Sequence, residues 1–147
     1  MKQILMTGVG AYLPETILTN DDLSKFVDTD DNWIRQRTGI ISRRKANPEE
    51  LTSDLAVKAA NQALLSSGLN ILDIDCIILA TTTPDCTFPA TATIVQEKLG
   101  ALNAFAFDVQ AVCAGFVYAL SVANGLMSAG QGSNTLVIGA ETFTKLL

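Results

Sequence analysis

The sequence predicts a layered α/β fold on a mainly parallel sheet. Two observations carry this. Short β-branched runs at residues 75–83, Phe105–Val109 and residues 135–140 alternate with longer segments whose apolar residues recur at three-and-four spacing. The run through Ile77-Ile78-Leu79-Ala80 is apolar at every position, the pattern of a strand covered on both faces. Successive strands joined by helices within one sheet require right-handed crossovers. A composition of 48% hydrophobic and 17% charged residues supplies a well-buried core and apolar surface for a large subunit interface.

Each element has a local cause. Residues 4–13 read as a strand loosened by Gly8 and Gly10. Thr19 or Asn20 caps a short helix through Val27, with Asp21 and Asp22 favourably placed in its first turn. Residues 30–37 read as a second short helix ended near Gly39. Thr52 or Ser53 caps a third, whose Leu55, Ala56, Ala59, Ala60, Ala63 and Leu64 share one face, and Gly68 is its natural stop. After the 75–83 strand, residues 91–99 are helical to Gly100. A strand at 105–109 precedes a helix at 113–129, stopped by Gly130, and a strand at 135–140 follows. The Ala/Gly-rich helix is expected to be buried on all sides. No repeat, low-complexity tract or linker divides the 147 residues, and their number fits one domain. The chain stops shortly after a strand with no polar tail, which reads as a cut within a fold.

Composition excludes several classes. A net charge of −5 argues against nucleic acid as a general partner, although five of the ten basic residues cluster at Arg35, Arg37, Arg43, Arg44 and Lys45. Cys76, Cys86 and Cys113 form neither a CxxC pair nor an even set, and histidine is absent, so neither a disulfide framework nor a zinc site is expected. A reducing, cytoplasmic compartment fits best. The apolar start of the chain is broken by Thr7, Gly8 and Gly10, against a targeting peptide. Residues 111–127 are too short for a membrane span, and Ser121 and Asn124 interrupt them.

A few residues carry candidate chemistry. Cys113 follows a strand and opens a helix, where free N–H groups and the macrodipole favour a thiolate. The competing reading is a small buried hydrophobe. Gly8-Val9-Gly10 lacks the third glycine and helix cap of a dinucleotide loop. Trp33 and Arg37 are four apart on one helix face and suit an adenine ring with a neighbouring phosphate. Taken alone, those residues favour a core tryptophan beside a solvated basic face. Thr81-Thr82-Thr83-Pro84 ends the central strand, at the edge where parallel sheets bind ligands. Phe88-Pro89 lies in the following loop, where an aromatic commonly packs on its own domain.

Together, Tyr12-Leu13-Pro14-Glu15, Thr19-Asn20-Asp21-Asp22-Leu23, Asp31-Asn32-Trp33-Ile34 with Arg37-Thr38-Gly39-Ile40, Ala80-Thr81-Thr82, Phe88-Pro89, and Phe107-Asp108-Val109 running into Cys113-Ala114-Gly115-Phe116 form an ordered set. In these blocks the chain strongly resembles the N-terminal part of β-ketoacyl-acyl-carrier-protein synthase III, of the thiolase superfamily. The resemblance implies a thiolase-like layered α/β fold with a buried helix bearing the nucleophile, present as an incomplete N-terminal half whose C-terminal half is absent. It implies condensation of a short acyl-CoA, usually acetyl-CoA, with malonyl-acyl-carrier protein at the start of type II fatty acid synthesis. Cys113 then matches the nucleophile, with its own N–H in the oxyanion hole. Trp33 and Arg37 match the coenzyme A contacts, with Thr29 nearby. Thr82 lines the primer pocket, and Phe88 closes it in the partner subunit of a homodimer. No cofactor is implied beyond the coenzyme A thioester that is itself a substrate. The family's His and Asn, which polarise the malonyl thioester, belong to its C-terminal half. The expectation for this chain is therefore cysteine acylation without carbon–carbon bond formation, and open sheet edges prone to aggregation. The alternative is a non-catalytic, truncated piece of the fold that only packs against a partner. A cysteine hydrolase has little support, because no local base accompanies Cys113.

Overall fold

The computed structural model describes residues 4–146. In chain order its elements are β1 (Thr16–Thr19), α1 (Asn20–Leu23), α2 (Asp31–Thr38), β2 (Ser42–Lys45), α3 (Thr52–Ser67), β3 (Cys76–Ala80), α4 (Thr91–Leu99), β4 (Phe105–Val109), α5 (Gly115–Ser128) and β5 (Thr135–Gly139). Chain length fits one domain, yet the residues form two compact units. One runs up to Tyr12 and resumes over Leu51–Glu141; the other holds Leu13–Glu50 and the residues from Thr142 on.

In the first unit β3 is the central strand. It pairs in parallel with β4, Cys76 opposite Phe105 through Ala80 opposite Val109, and with β5, Cys76 opposite Thr135 through Ala80 opposite Gly139. Every β3 residue is buried. Strand alternation divides them between two layers. Ile77 and Leu79 join Ala56, Ala60 and Leu64 of α3 and Ala92 and Val95 of α4. Cys76, Ile78 and Ala80 join Ala119 and Ala123 of α5. Burying side chains such as Ile77, Ile78 and Leu79 contributes about 1.5–3 kcal/mol each, so this strand organises the unit.

The helix at 113–129 was expected to be buried all round. It starts instead at Gly115 and buries Gly115, Ala119 and Ala123, while Phe116, Val117, Tyr118 and Val122 face outward. Small residues on one stripe let its backbone approach the sheet. Among the described residues nothing covers the opposite face.

Helix starts differ from expectation in an instructive way. The N-cap of α3 is Leu51, not Thr52 or Ser53. Thr52 sends its hydroxyl to the Thr83 carbonyl at 2.6 Å, and the Ser53 N–H donates to Asp85 Oδ1 at 2.9 Å. Both residues thus tie α3 to the loop after β3. The cap of α4 also comes from a distant residue. Ala90 offers no side-chain acceptor, and the Asp108 carboxylate on β4 takes the N–H groups of Thr91 at 2.8 Å and Ala92 at 2.7 Å. Gly68 and Gly100 end their helices at φ +72, a left-handed conformation that only glycine adopts at no steric cost.

Residues 4–13 form no strand. Among the described residues their N–H groups have no ladder partner; those of Val9 and Ala11 reach Ser66 Oγ and Gln62 Oε1 on α3, each at 3.3 Å. A Cβ at Gly8 or Gly10 would collide with the α3 backbone at Ala63 or Ala59. The two glycines serve close approach to that helix.

In the second unit β1 and β2 pair antiparallel, Thr16 opposite Lys45 through Thr19 opposite Ser42. Sequence reading missed this hairpin, because Ser42-Arg43-Arg44-Lys45 shows no apolar alternation. The arginines do not form a free basic field: Arg44 donates to the carbonyls of Pro14 and Glu15, and Arg43 to that of Thr19 and to Asn20 Oδ1. Thr19 caps α1 in a reciprocal pair with Asp22, but the helix ends at Leu23, where the N–H groups of Phe26 and Val27 both close on the Leu23 carbonyl. Asn20 is buried and satisfied. Its amide donates to Asp31 Oδ1 and the Ile40 carbonyl, each at 2.8 Å, and its oxygen accepts from Arg43 at 2.7 Å. This network fixes the start of α2, which Asp30 caps through the Trp33 N–H at 2.7 Å.

Candidate active site

Cys113 stands at the carboxyl edge of the parallel sheet, where ligands collect. After β4 the chain turns through Ala111 (φ −146, ψ 30) and Val112, whose φ is +47. A β-branched residue in that region is an outlier, costing on the order of 1–3 kcal/mol. The turn is held by the Ala114 N–H on the Ala111 carbonyl at 3.0 Å. Cys113 lies in a short 3-10 segment, Val112–Ala114, two residues before α5 rather than at its first residue. A Cβ at Gly115 would sit 3.3 Å from that of Ala80, so glycine seats the turn tightly on β3.

The three thiols occupy different environments. Cys76 is fully buried, and burial followed by the neighbouring Asp75 charge pushes its thiol up to about 11. Cys86 is exposed in the loop after β3, its thiol 3.7 Å from the Pro89 carbonyl. Cys113 is exposed and, of the three, is the one that adjoins the N-terminus of the long helix α5. It is therefore not the small buried hydrophobe that the sequence also allowed.

Thr82 leaves the neighbouring strand at the same edge. The Thr81 N–H extends the ladder to the Val109 carbonyl at 3.2 Å. The Thr82 hydroxyl is shielded from solvent and has no partner among the described residues. Glu141, two residues past β5, gathers this segment: its carboxylate accepts the N–H groups of Thr82 at 2.8 Å and Thr83 at 3.1 Å and the Thr83 hydroxyl at 2.5 Å. Sequence reading missed Glu141, because only the strand register brings it opposite the threonines. Phe88 is 83% exposed in the β3–α4 loop and does not pack into a core.

The coenzyme A candidates gather in the second unit. Trp33 is 50% exposed, with the Arg37 guanidinium 4.3 Å from its ring centroid. Ile34 is the residue α2 buries, so Trp33 is no core anchor. The pair presents a flat aromatic carrying a cation. Thr29 is half-buried just before the α2 cap, its hydroxyl shielded and unpaired among the described residues. Among the described residues no cluster of three or more Cys, Asp or Glu is arranged to hold a metal ion, and no helix is long and apolar enough to cross a membrane.

A three-layer unit with an exposed cysteine at the sheet's carboxyl edge fits the thiolase-like class, and solved structures agree. The 3-oxoacyl-[acyl-carrier-protein] synthase III of Aquifex aeolicus VF5 superposes with a TM-score of 0.89 at 48% identity, over 95% of this chain and 45% of that one. The family model described as 3-oxoacyl-[acyl-carrier-protein (ACP)] synthase III matches residues 107–147. Proteins named β-ketoacyl-[acyl-carrier-protein] synthase III from Caulobacter vibrioides and Ehrlichia canis are 59% and 54% identical over 97% and 100% of this chain, and 44% and 46% of their own lengths. The chain belongs to the β-ketoacyl-acyl-carrier-protein synthase III family, and spans less than half the length of these relatives.

Proposed function

We propose that this chain carries the acyl-accepting part of a β-ketoacyl-acyl-carrier-protein synthase III, an acyltransferase that joins a short acyl-CoA to malonyl-acyl-carrier protein. The observation that carries the reading is the Cys113 turn, strained at Val112 and opening onto α5. The Cys113 sulfur attacks the thioester carbonyl of acetyl-CoA, and its proton passes to solvent. The tetrahedral oxyanion is held by the Cys113 N–H, in the turn that precedes α5. The carbon–sulfur bond to coenzyme A then breaks, the coenzyme A thiolate leaves and takes a proton from solvent, and an acetyl-cysteine thioester remains.

The other candidates take supporting roles. Trp33 and Arg37, with Thr29 beside them, read the adenine and phosphate end of coenzyme A. Thr82 lines the pocket for a small primer, and Phe88 reaches the primer pocket of a second copy in a homodimer. The acyl-carrier protein is the second substrate, and the reaction needs no cofactor. The setting is cytoplasmic, with neither nucleic acid nor membrane as partner.

The test is incubation with radiolabelled acetyl-CoA. Wild-type chain should retain about one label per chain, and Cys113→Ser should retain none. Equal labelling of both proteins would refute the assignment.

A further inference from the structure

We propose that Glu141 is a positioning residue that shapes the acyl pocket by clamping the Thr81-Thr82-Thr83 segment. This rests on the reading that Thr82 lines that pocket. The geometry is specific. β3 and β5 are paired through Ala80 and Gly139, and the Ala140 N–H continues the ladder onto the Ala80 carbonyl at 3.1 Å. Glu141 therefore emerges beside Thr81, where the chain leaves the sheet. One carboxylate oxygen takes the Thr82 N–H at 2.8 Å; the other takes the Thr83 N–H at 3.1 Å and the Thr83 hydroxyl at 2.5 Å. A longer contact of 3.4 Å comes from the Thr81 hydroxyl, which itself accepts the Thr83 N–H at 3.1 Å.

Two consecutive backbone N–H groups converging on one carboxylate fix the peptide planes on both sides of the Thr82 α-carbon. They thereby fix the direction of its side chain, whose hydroxyl makes no bond of its own among the described residues. An amide cannot replace this clamp. Glutamine offers one acceptor and turns its NH2 toward a second donor. A positioning error near one ångström in a pocket wall alters reactivity by large factors.

The test compares wild type with Glu141→Ala and the near-isosteric Glu141→Gln. Cys113 acylation by acetyl-CoA and by hexanoyl-CoA is followed by intact mass, alongside backbone amide exchange. General destabilisation lowers both acylation rates together and leaves their ratio unchanged. Loss of the clamp changes the ratio, and both variants should shift it by about tenfold. Thr82 and Thr83 amides should exchange about tenfold faster in the variants, with Ile77, Ile78 and Leu79 unchanged. A variant that is acylated with the wild-type ratio within twofold overturns the proposal. If neither variant folds, wild type still decides: Thr82 and Thr83 amides exchanging as fast as those of exposed Cys86 and Thr87 overturn the clamp, and slower exchange supports it. Failure of wild type to accept either acyl group overturns the underlying functional reading instead, a result distinct from an unchanged ratio.

Discussion

At the residue scale, chemistry follows from where each side chain is held. Cys76 and Cys113 are the same residue in opposite settings: one inside the sheet, the other on a strained turn at a helix start. The raised Cys76 thiol has a consequence for stability. Its folded-state value of about 11 lies above the ordinary 9.0. Below pH 9 the thiol is neutral folded and unfolded, and its contribution is intact. Between pH 9 and 11 the unfolded chain ionises first, so stability falls as pH rises. Thermal unfolding should show wild type losing more than Cys76→Ala across that range; parallel curves would contradict it. In the other unit, the exposed Trp33 face with Arg37 above it is the surface we propose for reading the nucleotide. Trp33→Ala should weaken coenzyme A binding about tenfold by titration calorimetry, from loss of roughly 1–2 kcal/mol of stacking, and Leu102→Ala, exposed in the first unit, should not.

At the element scale, long-range acceptors decide where helices begin. Asp108 on β4 closes the start of α4, so strand and helix are locked by two charge-assisted bonds. Asp108→Ala leaves the buried Thr91 N–H unpaired and should cost about 3 kcal/mol in urea unfolding; a loss under about 1 kcal/mol would show that water substitutes. These devices also mark the limit of what the sequence discloses. α4 and β4 were legible to the residue, because Gly100 and the apolar runs announce them locally. The α3 cap was not, because Thr52 and Ser53 have the right chemistry for a cap and are drawn instead to Thr83 and Asp85. The 4–13 segment reads as a strand by composition, but a strand exists only where another offers a ladder. The polar β1–β2 hairpin shows the reverse, pairing without an apolar pattern.

At the scale of the whole molecule, the first unit is a three-layer sandwich whose sheet delivers two loops to one edge: Thr81–Thr83 from β3 and the Cys113 turn from β4. The ordered sequence blocks made Cys113, Thr82, Phe88, Trp33 and Arg37 legible as candidates. What they could not disclose is what surrounds Cys113 and Thr82: the Val112 strain, the Gly115 seat on Ala80, and the Glu141 contacts. Those depend on register and close approach, properties of folded backbone rather than of local composition. We propose that the Cys113 turn makes this thiol, among three, the one that captures an acyl group from coenzyme A. Peptide mapping by mass spectrometry after brief exposure to acetyl-CoA tests it most directly. One acetyl group is expected on the peptide containing Cys113, with Cys76 and Cys86 unmodified. An unmodified Cys113, whether the acetyl group sits on Cys86 or on no cysteine, would contradict it.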